Sequence, residues 1–559
     1  MRLHTQSPRP VRAASWTVWL ALGLPVLVAV ALMVPRVCSA QFGLFDDANS
    51  ISVARQTWTG QWDWEQDIGF GRFRPVYWLV FSLIYRWAGY HASWYFVGNL
   101  LLLLCTTLLL GGAVLRLTRR PLAAGIVGLA FVLGGPVVEA AYTLSKPELA
   151  QCFFLTASAA TLALAPRPGT RFMRVGALLM SSVLVFLAAL TKETTGLLLG
   201  IAPAWVAIAW ASDRVRGAEA HPHASPLARD FLLACALGIT AYLGTAFAAS
   251  PGILSGAGPR ANFTFTWATI ETNTKVWLDL IVRDWLQLLP LVVAAAYCAV
   301  STRRLAHSLM MLGSLVWMGA WFALYLPYRF TPEYYLLPFS LGAAVFTGLL
   351  ALQVVDASRA GPVASFLVKG CGALAAVLIL LTIPNNLTNG GIQLSVDKAN
   401  TAMLEFVAEN APADGLVLVN IRADIEYLWN VAPMLHSVYN RPDLTVEAYP
   451  DPGSALAVGS RPTMVISPFI ENVPLPSVRL GIPEEVSRAW EAALQEELGG
   501  RLSLQRETRF CQHLLVVDAP RLICLAVPQI GYCQRPHTPF DTRRFAAGWR
   551  IYSLSAPSG

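Results

Sequence analysis

Charge is what this chain has least of. Of its 559 residues only 13% are Asp, Glu, Lys or Arg, while 55% are hydrophobic and the mean hydropathy is +0.51. Soluble domains carry about one quarter charged residues, so this composition excludes an ordinary water-soluble globular protein and predicts a polytopic α-helical membrane protein. Cysteine is also sparse: nine in 559 residues exclude a disulfide scaffold. Cys105, Cys152, Cys235, Cys298 and Cys371 fall inside apolar runs and read as small packing residues. Cys511, Cys524 and Cys533 lie near the end, where an oxidising compartment would allow a Cys511–Cys524 bridge. No Cys/His spacing suits structural zinc, no tandem repeat of solenoid type is visible, and no basic patch is interleaved with aromatics. The net charge of +7 therefore reads as a topology signal and not as a nucleic-acid footprint.

Long apolar runs are what the chain does have. They occur near 15–35, 93–115, 121–136, 148–165, 173–190, 195–212, 229–250, 284–301, 307–326, 334–354 and 366–384, which predicts about eleven spans. Cys38-Ser39-Ala40 after the first run resembles a signal-peptidase site. The run itself has an apolar core of close to 20 residues, long enough to span, and reads as an uncleaved anchor. With a cytoplasmic N-terminus, arginines such as Arg9, Arg12, Arg116, Arg119, Arg120, Arg171, Arg174, Arg214, Arg303 and Arg304 collect in the inner loops, as the positive-inside rule requires.

Acids collect on the other side. Asp46, Asp47, Asp63, Glu65, Asp67, Glu139, Glu148, Glu193, Glu271, Asp279, Asp284 and Glu333 fall in predicted outer loops, against Asp213, Glu219, Asp230 and Asp356 inside. Acidic residues contribute little to orientation, so topology does not explain this asymmetry, whereas a site on that face would. The first outer loop, 36–92, is long, and Val76 to Trp87 reads as an interfacial helix with Pro75 in its first turn. The segment "WLDLIVRDW" reads as another interfacial helix.

After Pro384 the pattern changes. Positions 399, 403, 406 and 407 form a helical stripe, "ADGLVLVNI", "TMVISPF", "HLLVVD", "RLICLAV" and "FAAGWRIYSL" read as strands, and "PEEVSRAWEAALQEEL" reads as a helix with acids in its first turn. The expected organisation is a multi-span domain over 1–384 and an extracytoplasmic mixed α/β domain over 385–559.

Five outward segments place charge beside a span: "FDDAN" (45–49), "GRFRPVYW" (71–78), "EAAYTLSKPELAQ" (139–151), "LTKETTG" (190–196) and "LPYRFTPEYYLLP" (326–338). A single charge at a span end is usually a snorkelling anchor. Five such segments at one interface supply acids and fixed cations to one boundary.

The order of these segments resembles the GT-C superfamily of polytopic glycosyltransferases, nearest the protein O-mannosyltransferase-like branch and the bacterial family 39-like membrane enzymes. "GRFRPVYWLVFSLIYRWAGYHASWYFVGNLLLL" is similar to the "RP…N-L-L" stretch of the branch that carries tetratricopeptide repeats, and "GGPVVEAAYTLSKPELAQCFFLTAS" to that branch's next outer loop. The resemblance covers roughly 40–200, with weaker support around 326–338. That branch has His-Pro before the Glu, where this chain has Gly135-Pro136, so any role of that histidine is absent. No tetratricopeptide pattern follows 385, so the branch's acceptor preference does not carry over.

The resemblance implies inverting transfer of a sugar from a polyprenyl-phosphate donor to an acceptor hydroxyl on the extracytoplasmic side, with a glycan, lipid and protein all open as acceptor. The Ala/Leu/Arg-rich composition suggests a bacterial inner membrane. That chemistry needs a carboxylate base and cations for the departing phosphate. Asp46 matches the family's first acid and is expected as general base, with Asp47 orienting the acceptor or sharing a cation. The competing reading is an N-cap and a first-turn acid of a helix beginning at "DDANS". Arg72, Arg74, Lys192 and Arg329 are expected phosphate contacts, although anionic headgroups or an ion pair at a span end would account for them singly. Glu139, Lys146, Glu148, Glu193 and Glu333 form a second tier that helix termini would equally explain. Adjacent Asp46 and Asp47 suit Mg or Mn bridging to the donor phosphate, but two consecutive carboxylates are too small a ligand set to decide metal use. Rival readings are a polysaccharide polymerase or ligase using the same kind of donor, a membrane transporter, and a receptor built on the outer domain. Transporters place charge near mid-membrane, whereas here it clusters at one interface.

Overall fold

The computed structural model describes residues 15–44, 46–62, 72–165, 170–216, 224–249, 263–302, 308–328, 331–357, 362–420, 425–449, 463–472, 482–517 and 540–554. Arg329, Asp63, Glu65, Asp67, Cys524, Cys533 and the strand expected over 521–527 lie outside them. Of the expected disulfide, Cys511 alone is described, as an exposed thiol.

The membrane part consists of α1 (Ser15–Cys38), α2 (Asp47–Trp58), α3 (Pro75–Ala88), α4 (Ala92–Thr118), α5 (Pro121–Val132), α6 (Gly135–Tyr142), α7 (Glu148–Leu164), α8 (Arg171–Thr191), α9 (Leu198–Arg216), α10 (Ala224–Ala249), α11 (Trp267–Trp285), α12 (Leu288–Thr302), α13 (Ser308–Tyr325), α14 (Leu337–Ala357) and α15 (Pro362–Asn410). Among the described residues seven helices are long and apolar enough to cross a membrane, or nine if the bent pairs α5–α6 and α11–α12 each make one span. This is a polytopic helical membrane protein. The eleven expected segments are all helical, but α7 and the apolar part of α13 (Leu309–Tyr325) fall short of spanning length. The 17 residues of α7 rise about 26 Å, less than the ~30 Å hydrocarbon core.

Small residues let these helices approach closely. Gly348 of α14 sits against Val127 and the Ala123 carbonyl of α5, so that any Cβ there would overlap them. α5 packs on α1, α4 and α14, and α8 packs on α7 and α10. The α5–α6 pair bends by 55° just after Val132, which redirects α6 and the loop that follows it.

α15 runs 49 residues, with Pro384 inside it, from the apolar bundle into the C-terminal region. The position at which composition changes, 384/385, thus lies within one helix. Beyond it come β1 (Leu416–Asn420), α16 (Ile425–Ser437), β2 (Thr445–Tyr449), β3 (Met464–Glu471), α17 (Glu484–Glu497), β4 (Leu502–Val517) and β5 (Phe540–Leu554). They form a mixed five-stranded sheet ordered β2-β1-β3-β5-β4. β1 pairs in parallel with β2 and β3, and β5 runs antiparallel to β3 and β4.

Alternation along the strands gives the sheet two apolar faces. Leu418 and Val465 pack under Trp490, Leu494 and Leu498 of the α17 region. Val417, Val419, Ile466, Phe545 and Trp549 point the other way, into one core with Met403, Leu404 and Val407 of α15 and with Ile51, Tyr77 and Phe81 of α2 and α3. Polar residues on α15 complete the join: Asn385 exchanges two 2.9 Å hydrogen bonds with the Val517 backbone, and Asn400 Oδ1 accepts from Trp549 Nε1 at 2.9 Å. The C-terminal region thus reaches the first loop that carries Asp46 and Asp47 through α15 and α16, and α16 packs on α2.

Candidate active site

Asp46 immediately precedes α2 with φ 64°, in the left-handed region that Asp tolerates better than most residues. Its side chain makes no capping hydrogen bond to the helix, so the expected N-cap role is not realised. Its Oδ2 instead accepts from Lys146 Nζ at 3.1 Å. Lys146 stands on the loop between α6 and α7, which Asn99 of α4 holds by donating to the Ala141 and Thr143 carbonyls at 3.0 and 3.2 Å. The lysine is buried, 3% exposed at its side chain, whereas the Asp46 side chain is 47% exposed.

Asp47 faces elsewhere. Its Oδ2 accepts the Gly43 backbone N–H at 2.7 Å, and its Oδ1 is buried with no hydrogen-bond partner among the described residues. Asp397 of α15 lies just across Gly43, whose missing side chain leaves room for both carboxylates. Arg36, in the last turn of α1, donates Nη2 to Asp397 Oδ2 at 2.5 Å and Nε to the Tyr142 carbonyl at 2.9 Å, beneath the Phe96 ring. Burial, with the nearby Asp397 charge adding to it, pushes the Asp47 carboxyl up to about 7. The two adjacent acids thus serve different surroundings, one an open face and one a buried anchor.

Three further segments reach the neighbourhood of Asp46. Arg74, immediately before α3, grips Glu193 with Nε and Nη2 at 2.8 and 2.6 Å, a bidentate pair. Lys192 ends α8 and pairs with Glu148 at the start of α7, both buried. Gln151 fixes that junction by donating to Thr194 at 3.1 Å and Thr195 at 2.9 Å. Tyr77 of α3 lies within electrostatic reach of Asp46, Lys146 and Arg74. Arg72 is half-buried, and no contact ties it to this cluster among the described residues.

A 3₁₀ turn, Glu333–Leu336, closes the group from the late loop. Lys146 Nζ lies 4.6 Å from the Tyr334 ring centre and Lys192 Nζ 4.6 Å from that of Tyr335. Asp46, Glu139 and Glu148 all interact electrostatically with Tyr334. Glu333 itself turns inward and pairs with Arg283, which also grips Asp284 at 2.8 and 2.9 Å. This triad occupies the volume that any side chain at Gly135 would need. Glycine at 135 is thus demanded by packing in this chain.

Asp46, Lys146, Glu148, Lys192, Glu193 and Arg74 are therefore gathered at one end of the bundle, with Glu139 beside them. Tyr334, Tyr335, Asp397 and Arg36 were not singled out by sequence reasoning. Among the described residues no three His, Cys, Asp or Glu side chains are grouped to hold a metal ion. Asp46 and Asp47 turn to separate partners.

No family model and no curated protein sequence matches the chain. Among solved structures it is similar to ArnT from Cupriavidus metallidurans bound to undecaprenyl phosphate, at 12% identity over 98% of this chain and 100% of that one, with a TM-score of 0.48. The apo state of the same protein gives 13% identity, 96% and 98% coverage and a TM-score of 0.47. The oligosaccharyltransferase of Archaeoglobus fulgidus in the apo form gives 12% identity, 81% and 70% coverage and a TM-score of 0.48.

Proposed function

We propose that this protein transfers a sugar from a polyprenyl-phosphate donor to an acceptor hydroxyl, with inversion, at the extracytoplasmic face of the membrane. The observation that carries the reading is the meeting of Asp46, Lys146, Lys192 and Arg74, drawn from four separate segments, at the ends of apolar helices. Asp46 is the base. Its carboxylate is half exposed, whereas that of Glu148 is 1% exposed and Glu193 is gripped by Arg74. It takes the acceptor's proton as the acceptor oxygen bonds to the anomeric carbon. The bond from that carbon to the lipid phosphate breaks, and its electron pair leaves on the phosphate oxygen. Lys146, Lys192 and Arg74 meet the developing charge.

In the protein alone each of these cations is matched by a carboxylate: Lys146 by Asp46, Lys192 by Glu148 and Arg74 by Glu193. An arriving phosphate competes for Lys146, and in doing so frees Asp46 for the acceptor. Asp47 takes no part in the chemistry; it anchors the loop that presents Asp46. A lipid donor suits the place, since α8 and the span Glu193–Ala211 beside the cluster are of spanning length and apolarity.

The test is incubation of membranes containing the protein with a panel of labelled polyprenyl-phosphate sugars. Covalent label transfer that disappears in Asp46→Asn supports the reading. Movement of substrate across sealed vesicles with no covalent product would replace it with transport.

A further inference from the structure

Tyr334 and Tyr335 are consecutive residues of one short 3₁₀ turn, and each seats a different lysine. Lys146 from the α6–α7 loop lies over one ring and Lys192 from the end of α8 over the other, both at 4.6 Å. Lys192 also stands 5.9 Å from the Tyr325 ring. The rings are themselves fixed. Tyr335 stacks on Tyr325 at 4.9 Å with an interplanar angle of 6°, and Tyr328 meets it edge-on at 5.1 Å. Tyr334 packs against Tyr335 at 4.8 Å. One residue upstream, Glu333 is pinned by Arg283.

We propose that Tyr334 and Tyr335 are positioning residues that aim Lys146 and Lys192 together at the phosphate of the donor. The proposal rests on the reading of this site as a lipid-phosphate site. Its physical basis is the difference between a ring and a carboxylate as partner. A carboxylate neutralises an ammonium and must be displaced before the lysine serves an incoming anion. A ring face attracts the ammonium through its quadrupole yet leaves the full positive charge available. Both lysines are buried, and burial strengthens that attraction. When phosphate displaces Asp46 from Lys146, the ring keeps the long, flexible side chain from swinging away. Two rings on adjacent residues tie the two ammonium groups to one turn.

The experiment measures binding of undecaprenyl phosphate to the full-length protein in detergent. The variants are Tyr334→Phe, Tyr334→Leu, the same pair at 335, and a series of mono-, di- and trifluorinated phenylalanines installed at each position. Fluorination drains the ring face while preserving its shape, so a purely packing role leaves binding unmoved along the series. The expected result is affinity within about twofold of wild type for phenylalanine, then a graded fall to about tenfold weaker for trifluorophenylalanine and leucine. A flat fluorine series with intact wild-type binding overturns the positioning role and leaves the donor reading standing. Wild-type protein that does not bind undecaprenyl phosphate overturns both. The fluorinated series decides the matter even if the leucine variants fail to fold.

Discussion

Asp46 and Lys146 meet at 3.1 Å, although 100 residues separate them in the chain and the lysine is buried while the aspartate is half exposed. On the proposed function, the pair holds a base and a phosphate-binding cation in mutual check. Asp46→Asn is expected to lower turnover by about 10²–10⁴-fold, the usual worth of a positioned base. Binding of undecaprenyl phosphate should not weaken, because the substitution removes the carboxylate that competes for Lys146. Parallel assays of turnover and binding on one preparation check both halves; loss of binding together with turnover would argue against the base role.

Lys192 and Glu148 form a pair that is nearly fully buried. Removing one partner strands a charge, and Glu148→Gln or Lys192→Met alone should cost about 3–5 kcal/mol of stability. The double variant should recover most of that loss, since a buried pair is often replaceable by apolar groups. Its transferase activity should stay absent. Thermal unfolding in detergent and label transfer, measured on all three, separate the structural from the chemical role.

Arg74 grips Glu193 through two parallel hydrogen bonds, a geometry that lysine cannot reproduce. Arg74→Lys is expected to weaken donor binding by about ten- to a hundredfold, the worth of a charge-assisted hydrogen bond. The maximal rate with saturating donor should change less. Steady-state kinetics with varied donor checks the split.

Asp47 gives a pH signature of its own. Its folded pKa of about 7 lies above the ordinary carboxylate value of about 3.9, so the folded chain holds a proton that the unfolded chain releases. Stability is therefore lost as pH rises from about 4 towards 7, by up to a few kcal/mol. Asp47→Asn should flatten that dependence and melt higher than wild type near pH 8, with the gap closing near pH 4. A pH series of melting temperatures is the measurement. A variant that melts lower than wild type at every pH would show that the carboxyl is not held neutral.

Much of the membrane architecture was legible because apolar length is a direct signal. Pro75 indeed stands in the first turn of α3, and the strand patterns at 416–420, 464–471 and 545–554 match β1, β3 and the end of β5. Of the site, Lys146, Lys192, Arg74 and their acids were readable as charges out of place at span ends. Their pairing was not, because it depends on loops brought together over long chain separations. The divergence of Asp46 and Asp47 was hidden as well. It arises from one left-handed residue, and a string of letters carries no φ. Asp284 and Glu333 read as outer-loop acids, Glu333 among the second-tier site residues, and Arg283 as part of an interfacial helix, whereas the three form one buried triad that a glycine at 135 makes room for.

The unbroken course of α15 has a mechanical consequence. A 49-residue helix extends about 74 Å and resists bending, so it behaves as a lever with Pro384 as its weakest point. On the sheet-bearing arm sits Asp397, which clamps Arg36 and borders the loop of Asp46 and Asp47. Any tilt of the sheet relative to the spans must either hinge at that proline or drag the Asp46 loop with it.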